Sequence, residues 1–177
     1  MPDVNYYSIA DRNDDEVISC TLPGTGENPL DYSDILKLSK ATNIVVKNCT
    51  IYGGKEDCVD MNRYCENILI EDTKVISNGS YCFTIKGGTK NVTLRNVVVE
   101  KHGKSYDIDL GNWSDQSNEL TTNVVLENVT STDGKPVTVR VLWADAPTVI
   151  GGNVQVIVVP KFLYSIYRWL RARKLVP

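Results

Sequence analysis

The feature that most limits what this chain can fold into is a repeat of about 24 residues. NIVVKNCTI from Asn43, NILIEDTKVI from Asn67, NVTLRNVVVE from Asn91 and NVVLENVTST from Asn123 align without gaps, at intervals of 24, 24 and 32 residues. A second series runs between them: DILKL at Asp34, DCVDM at Asp57, YCFTI at Tyr81, YDIDL at Tyr106 and PVTVRV at Pro136. Each unit therefore carries two or three short segments of alternating polarity, rich in Val and Ile and separated by Asn, Asp, Gly and Ser. Alternation with period 2 buries one face of each segment, and a 24-residue unit with short turns has no room for a helix. The leucine spacing of leucine-rich repeats is missing. What remains is a coil in which each repeat is one rung, stacked on the next by parallel pairing at ~4.8 Å. The expectation is an all-β fold, a single-stranded parallel β-helix of five to six rungs, right-handed like other parallel crossovers.

The alignment also assigns directions. Ile44, Val46, Ile68, Ile70, Val92, Leu94, Val124 and Leu126 point inward from one face. Leu36, Leu38, Val59, Met61, Phe83, Ile85, Ile108, Leu110, Val139 and Val141 point inward from another. Cys49 shares an inward column with Thr73, Val97 and Val129. Asn48, Asp72, Asn96 and Asn128 fall at one turn, a place for side chains that tolerate the left-handed region and bond their own backbone. N-x-S/T sequons occur at Asn48, Asn78, Asn91, Asn112 and Asn128; the ladder accounts for Asn48 and Asn128 more simply than glycosylation does.

The chain divides into a coil, residues 1–160, with an acidic N-terminal segment, and a basic tail, residues 161–177. Residues 1–31 hold seven acids and one Arg, whereas 161–177 hold five bases and no acid. After Pro160 the apolar residues Phe162, Leu163, Ile166, Tyr167, Trp169 and Leu170 recur at helical spacing with bases opposite, so a short amphipathic α-helix is expected. Its expected role is to cap the open coil end or to join subunits, a trimer among them; membrane contact is the lesser reading.

Whole-chain charge argues against nucleic acid as a partner, because 19 Lys and Arg stand against 22 Asp and Glu, a net charge of -3 over 177 residues. No apolar run is long enough for a membrane span, and MPDVNYYSIADRNDDE has neither a basic n-region nor an apolar stretch, so no secretory signal is expected. Five cysteines without zinc spacing read as reduced structural thiols. With one histidine, His102, neither a metal nor a cofactor is expected.

Chemistry is expected on the flank, where outward side chains from successive rungs line up. The outward column reads Lys37, Asp60, Thr84, Asp109 and Arg140, with Asp34, Asp57, Tyr81 and Tyr106 at the strand entrances. Asp60 and Asp109 lie two rungs, ~9.6 Å, apart, near the upper end of the ~6.5–9.5 Å that separates the carboxylates of inverting glycosidases. Trp113, in the polar insertion GNWSDQSNEL, is a candidate either to stack on a sugar ring or to pin the insertion to the coil.

These strands resemble the pectin lyase-like β-helices, specifically the polygalacturonase-type glycosidases. In that family consecutive rungs carry Asn-Thr-Asp, Asp-Asp-Cys-Ile/Val, Gly-His-Gly and Arg-Ile-Lys. Tyr32-Ser33-Asp34 is similar to the first through its Asp, and Glu56-Asp57-Cys58-Val59 to the second with Glu for the leading Asp. Ser80-Tyr81-Cys82 and Asp109-Leu110-Gly111 stand where the other two would be. The resemblance implies Asp57 as general acid, with Asp34 and Glu56 positioning water; from the flank itself, a polysaccharide is expected to be held by Asp60, Tyr81, Asp109, Trp113 and Arg140. The alternative function is a non-catalytic structural or adhesive module of the viral tail-spike or fibre type, located in a virion.

Overall fold

The computed structural model describes residues 5–102, 106–111 and 119–160, together with 162, 163, 166 and 173. Three parallel sheets wrap around one core. The first has seven strands in rung order, Tyr7–Ala10, Leu36–Ser39, Asp57–Asn62, Tyr81–Ile85, Ile108–Leu110, Val137–Val141 and Val154–Val158. The second has six, Glu16–Ile18, Thr42–Lys47, Glu66–Glu71, Lys90–Arg95, Thr122–Glu127 and Thr148–Ile150. The third has five, Thr21–Leu22, Thr50–Gly53, Lys74–Ser77, Val98–Lys101 and Thr130–Ser131. The chain passes from the first sheet to the second to the third and then starts the next rung, which is the parallel β-helix that the repeat predicts.

Register follows from burial, because a slip of one residue would turn every apolar side chain outward. Ile44, Ile68, Val92 and Val124 pair in sequence across the second sheet, and Leu36, Val59, Phe83, Ile108, Val139 and Val156 across the first. All eighteen inward residues named from the sequence on these two faces are buried. Cys49, Thr73, Val97 and Val129 are buried in the third expected column.

The turns are built by two Asn/Asp ladders. Asn48, Asp72, Asn96 and Asn128 have φ between 48° and 54°; Asn96 Nδ2 donates to Asp72 Oδ1 at 3.0 Å, and Asn128 Nδ2 to Asn96 Oδ1 at 3.2 Å. A second ladder stands on the opening Asn of each repeat. Asn43, Asn67, Asn91 and Asn123 also have positive φ, and each of the last three donates its amide to the preceding one at 2.8–3.0 Å. A short amide side chain tolerates this backbone region better than any other except glycine, and it satisfies its donor on the rung below. Asn91 is thereby engaged on both sides, which extends the ladder explanation to a third sequon.

The expected C-terminal helix lies almost wholly outside the described residues. Within it, Tyr167, Trp169 and Leu170 lie outside the described residues, and Phe162, Leu163 and Ile166 are 62%, 42% and 49% exposed. Ile150 and Val158 on the last strands are likewise exposed. Among the described residues, no helix is long and apolar enough to cross a membrane.

Candidate functional site

The outward face of the seven-stranded sheet carries the candidate site. At the strand entrances the alternation is reset by two consecutive inward residues, Ile35-Leu36, Cys58-Val59 and Cys82-Phe83, all fully buried. Asp34, Asp57 and Tyr81 therefore share the outward side with Lys37, Asp60, Thr84, Asp109 and Arg140. Pairing places Lys37 beside Asp60, Asp60 beside Thr84, Thr84 beside Asp109 and Asp109 beside Arg140.

Two groups of charges result. In the first, the Lys37 ammonium bridges Asp34 at 2.9 Å and Asp60 at 3.1 Å. Lys86 reaches the other oxygen of Asp60 at 3.1 Å, and Asn62 Nδ2 donates to Asp60 Oδ2 at 2.8 Å. The Asp57 N–H donates to Asp34 Oδ1 at 3.3 Å, tying the two strand entrances together. Lys86 owes its position to Gly87, at φ +72°, where an added Cβ would come within 2.5 Å of the Arg63 nitrogen. The chain can turn that closely only without a side chain.

Asp57 is the unusual member. Its carboxyl is nearly buried, 6% exposed, and forms no ion pair among the described residues. Burial raises its pKa from 3.8 to about 7; the charges of Asp60 and Asp34 add to the rise, while Lys86 and the Thr84 hydroxyl, which faces it without an aligned hydrogen bond, offset part of it. Asp34 is also raised, by burial and by Asp60, against the pull of Lys37. Burial alone would lower the Lys37 pKa, but Asp60 and Asp34 outweigh it and hold the ammonium charged. The cluster thus keeps one carboxyl protonated at mildly acid pH next to two carboxylates held by cations.

The second group is centred on Arg140. Its guanidinium grips Asp109 with both arms at 2.8 and 2.9 Å and donates to the Tyr81 hydroxyl at 2.7 Å. It lies over the rings of Tyr81 and Tyr106, 5.5 and 5.2 Å from their centroids. Asp109 is fully buried beneath it, so Asp109 acts on Arg140 and presents no free carboxylate to solvent.

Of the residues singled out from the sequence, Asp34, Asp57 and Asp60 converge in the first group, and Tyr81, Asp109 and Arg140 in the second. Glu56 is exposed on the turn before Asp57, outside the buried cluster; Trp113 lies outside the described residues. Lys86 and Asn62 were missed, although the outward alternation continued two residues past Asp60 and Thr84 points to both. A cleft of about 420 Å³ that the sequence reading does not anticipate opens at the corner between the third and first sheets, lined by Glu100, Lys101, His102, Asp107, Asp133 and Lys135 among others. Among the described residues no group of three or more His, Cys, Asp or Glu is arranged to hold a metal ion.

Comparison with curated proteins and with solved structures gave no match. A family model described as a right-handed β-helix region matches residues 9–137. That span contains both charge groups except Arg140, and it covers well over half of the chain: the protein belongs to the right-handed β-helix family.

Proposed function

We propose that the outward face of the seven-stranded sheet is a carbohydrate-processing surface, and that the protein is a polysaccharide hydrolase with Asp57 as general acid. The observation that carries this reading is the Asp57 carboxyl, protonated up to about pH 7 beside Asp34 and Asp60, which are ion-paired to Lys37 and Lys86. Glycoside hydrolysis needs that asymmetry, one carboxyl holding a proton for the leaving oxygen and a second carboxylate to assist the attack. Asp34 is the proposed base, with Lys37 fixing its orientation; Glu56, on the exposed turn, has the lesser role of contacting water or sugar hydroxyls. Tyr81 and Tyr106, stacked on Arg140, offer a flat rim for a sugar ring. Trp113 is proposed as a further stacking residue and the polysaccharide as the partner. The similarity of Glu56-Asp57-Cys58-Val59 to the polygalacturonase motif supports the same assignment.

Reducing-end release from a panel of polysaccharides tests the reading. The wild-type protein should cleave at least one, and Asp57→Asn should abolish turnover while leaving binding intact. A second reading, a non-catalytic rod or adhesin of the tail-spike type, is favoured by the pairing of Asp34, Asp60 and Asp109 with cations. Binding without cleavage of any polysaccharide would decide for it, and the tail at 161–177 would then be the assembly element, with a trimeric mass in solution.

A further inference from the structure

Four of the five cysteines stand in register on neighbouring rungs, and one of these pairs is reachable. Thr21 pairs with Thr50 and Leu22 with Ile51, so Cys20 and Cys49, each just before its strand, face each other across one rung spacing of ~4.8 Å. The contact is direct: the Cys20 N–H donates to Cys49 Sγ at 3.4 Å, and the Thr50 N–H to the Cys20 carbonyl at 2.9 Å. Neither is in a disulfide, and the Cys49 thiol donates to the Val17 and Lys47 carbonyls at 3.5 and 3.2 Å. Cys49 is buried and Cys20 half-buried; the strand after Cys20 belongs to the first rung, which has a neighbour on one side only among the described residues, and the strand after Cys49 to the second. A disulfide requires Cα atoms roughly 4.4–6.8 Å apart, and the turn position of both residues leaves the Cβ vectors freer to converge than inside a strand.

Cys58 and Cys82 stand in the same relation, flanked by the pairs Asp57–Tyr81 and Val59–Phe83. They are wholly buried, and their thiols donate to carbonyls, Cys58 to Gly53 and Ile76, Cys82 to Val75 and Glu100. No reagent reaches them in the folded coil.

We propose that Cys20 and Cys49 form a site of reversible oxidation, closed to a cross-rung disulfide by exchange with a low-molecular-mass disulfide such as oxidised glutathione. The Cys20 thiolate attacks one sulfur of the reagent, forming a mixed disulfide and releasing one thiolate. The Cys49 thiolate then attacks the Cys20 sulfur, forming the Cys20–Cys49 bond and releasing the second. Two protons leave the protein, and the reagent takes up the two electrons. Burial, and then the neighbouring thiol of Cys49, push the Cys20 pKa up to about 12. Thiolate is therefore scarce at neutral pH, and the reaction should be slow, accelerating about tenfold per pH unit. The bond would staple down two short strands of the first rung, Glu16–Ile18 and Thr21–Leu22.

The test is to expose the folded protein to oxidised glutathione at pH 7, 8 and 9 and to map the products by non-reducing peptide mass spectrometry. The expected product is one internal crosslink, Cys20 to Cys49, lighter by two hydrogens, with a raised melting temperature and with Cys58, Cys65 and Cys82 alkylated only after denaturation. Cys49→Ser should stop at a stable glutathione adduct on Cys20; Cys20→Ser should leave every thiol reduced. A lasting adduct on Cys20 in the wild type, a first crosslink between Cys58 and Cys82, or an unchanged thiol count at pH 9 would each overturn the proposal.

Discussion

Replacing Asp57 by Asn should stabilise the protein, and by an amount that depends on pH. Asp57 titrates near 3.8 when unfolded and at about 7 in the coil, where burial and the charges of Asp60 and Asp34 disfavour its ionised form. Below pH 3.8 both states hold the proton and the group costs nothing. Between 3.8 and 7 the unfolded chain loses the proton while the fold keeps it, so stability falls as pH rises. Above 7 the loss is complete. A gap of about three pH units at 1.36 kcal/mol each gives ~4 kcal/mol as the upper bound. Asn has nearly the same shape and never ionises, so the variant escapes this loss. Urea denaturation of both proteins at half-unit steps from pH 4 to 9 measures the difference. The curves should meet near pH 4, separate through pH 5 and 6, and run parallel above about pH 7.5, with the variant higher by up to ~4 kcal/mol. Curves separated by the same amount at every pH, or a variant less stable at pH 8, would refute the reasoning.

Three further outcomes follow from the same geometry. Ile68→Asp places a charge between Ile44 and Val92 in a fully packed column; the lost burial and the unpaired charge together exceed ~4 kcal/mol, so circular dichroism should report an unfolded chain. Asp109→Ala strips the half-buried Arg140 of its bidentate partner and should cost ~3–5 kcal/mol in a denaturant melt, more than Arg140 and Asp109 replaced together by apolar residues. Asn67→Ala removes two links of a ladder at φ 57° and should cost ~1–3 kcal/mol, of which Asn67→Gly recovers the conformational part only.

The coil was legible because burial acts on every rung alike. Period-2 alternation repeated at 24 residues leaves one register in which Ile44, Ile68, Val92 and Val124 meet, and the Asn at the turn announces the left-handed backbone it has to adopt. The flank was legible where strands carry it: Asp57 lies beside Asp34 because both open equivalent strands. It was less legible where turns carry it. Glu56 precedes Asp57 in the chain, but its direction is set by a turn that no periodicity governs, and it faces solvent. Lys86 was overlooked because the strand pattern stops at Ile85, although one more alternating step reaches it. That the outward Asp60, Thr84 and Asp109 are buried could not be read from alternation, since long neighbours, Lys37, Lys86 and Arg140 with Tyr81 and Tyr106, fold over them. The corner cleft escaped because it joins segments on either side of the insertion that lengthens the third interval from 24 to 32 residues.

The most direct test of the central claim is the pH dependence of kcat/KM for polysaccharide cleavage by the wild-type protein, which reports the ionisations of the free protein's acid and base. The account predicts a bell-shaped profile whose alkaline limb bends at about pH 7, where Asp57 gives up its proton, and no measurable cleavage at any pH for Asp57→Asn. An alkaline limb that stays flat to pH 9, or an Asp57→Asn protein that cleaves at the wild-type rate, would contradict it.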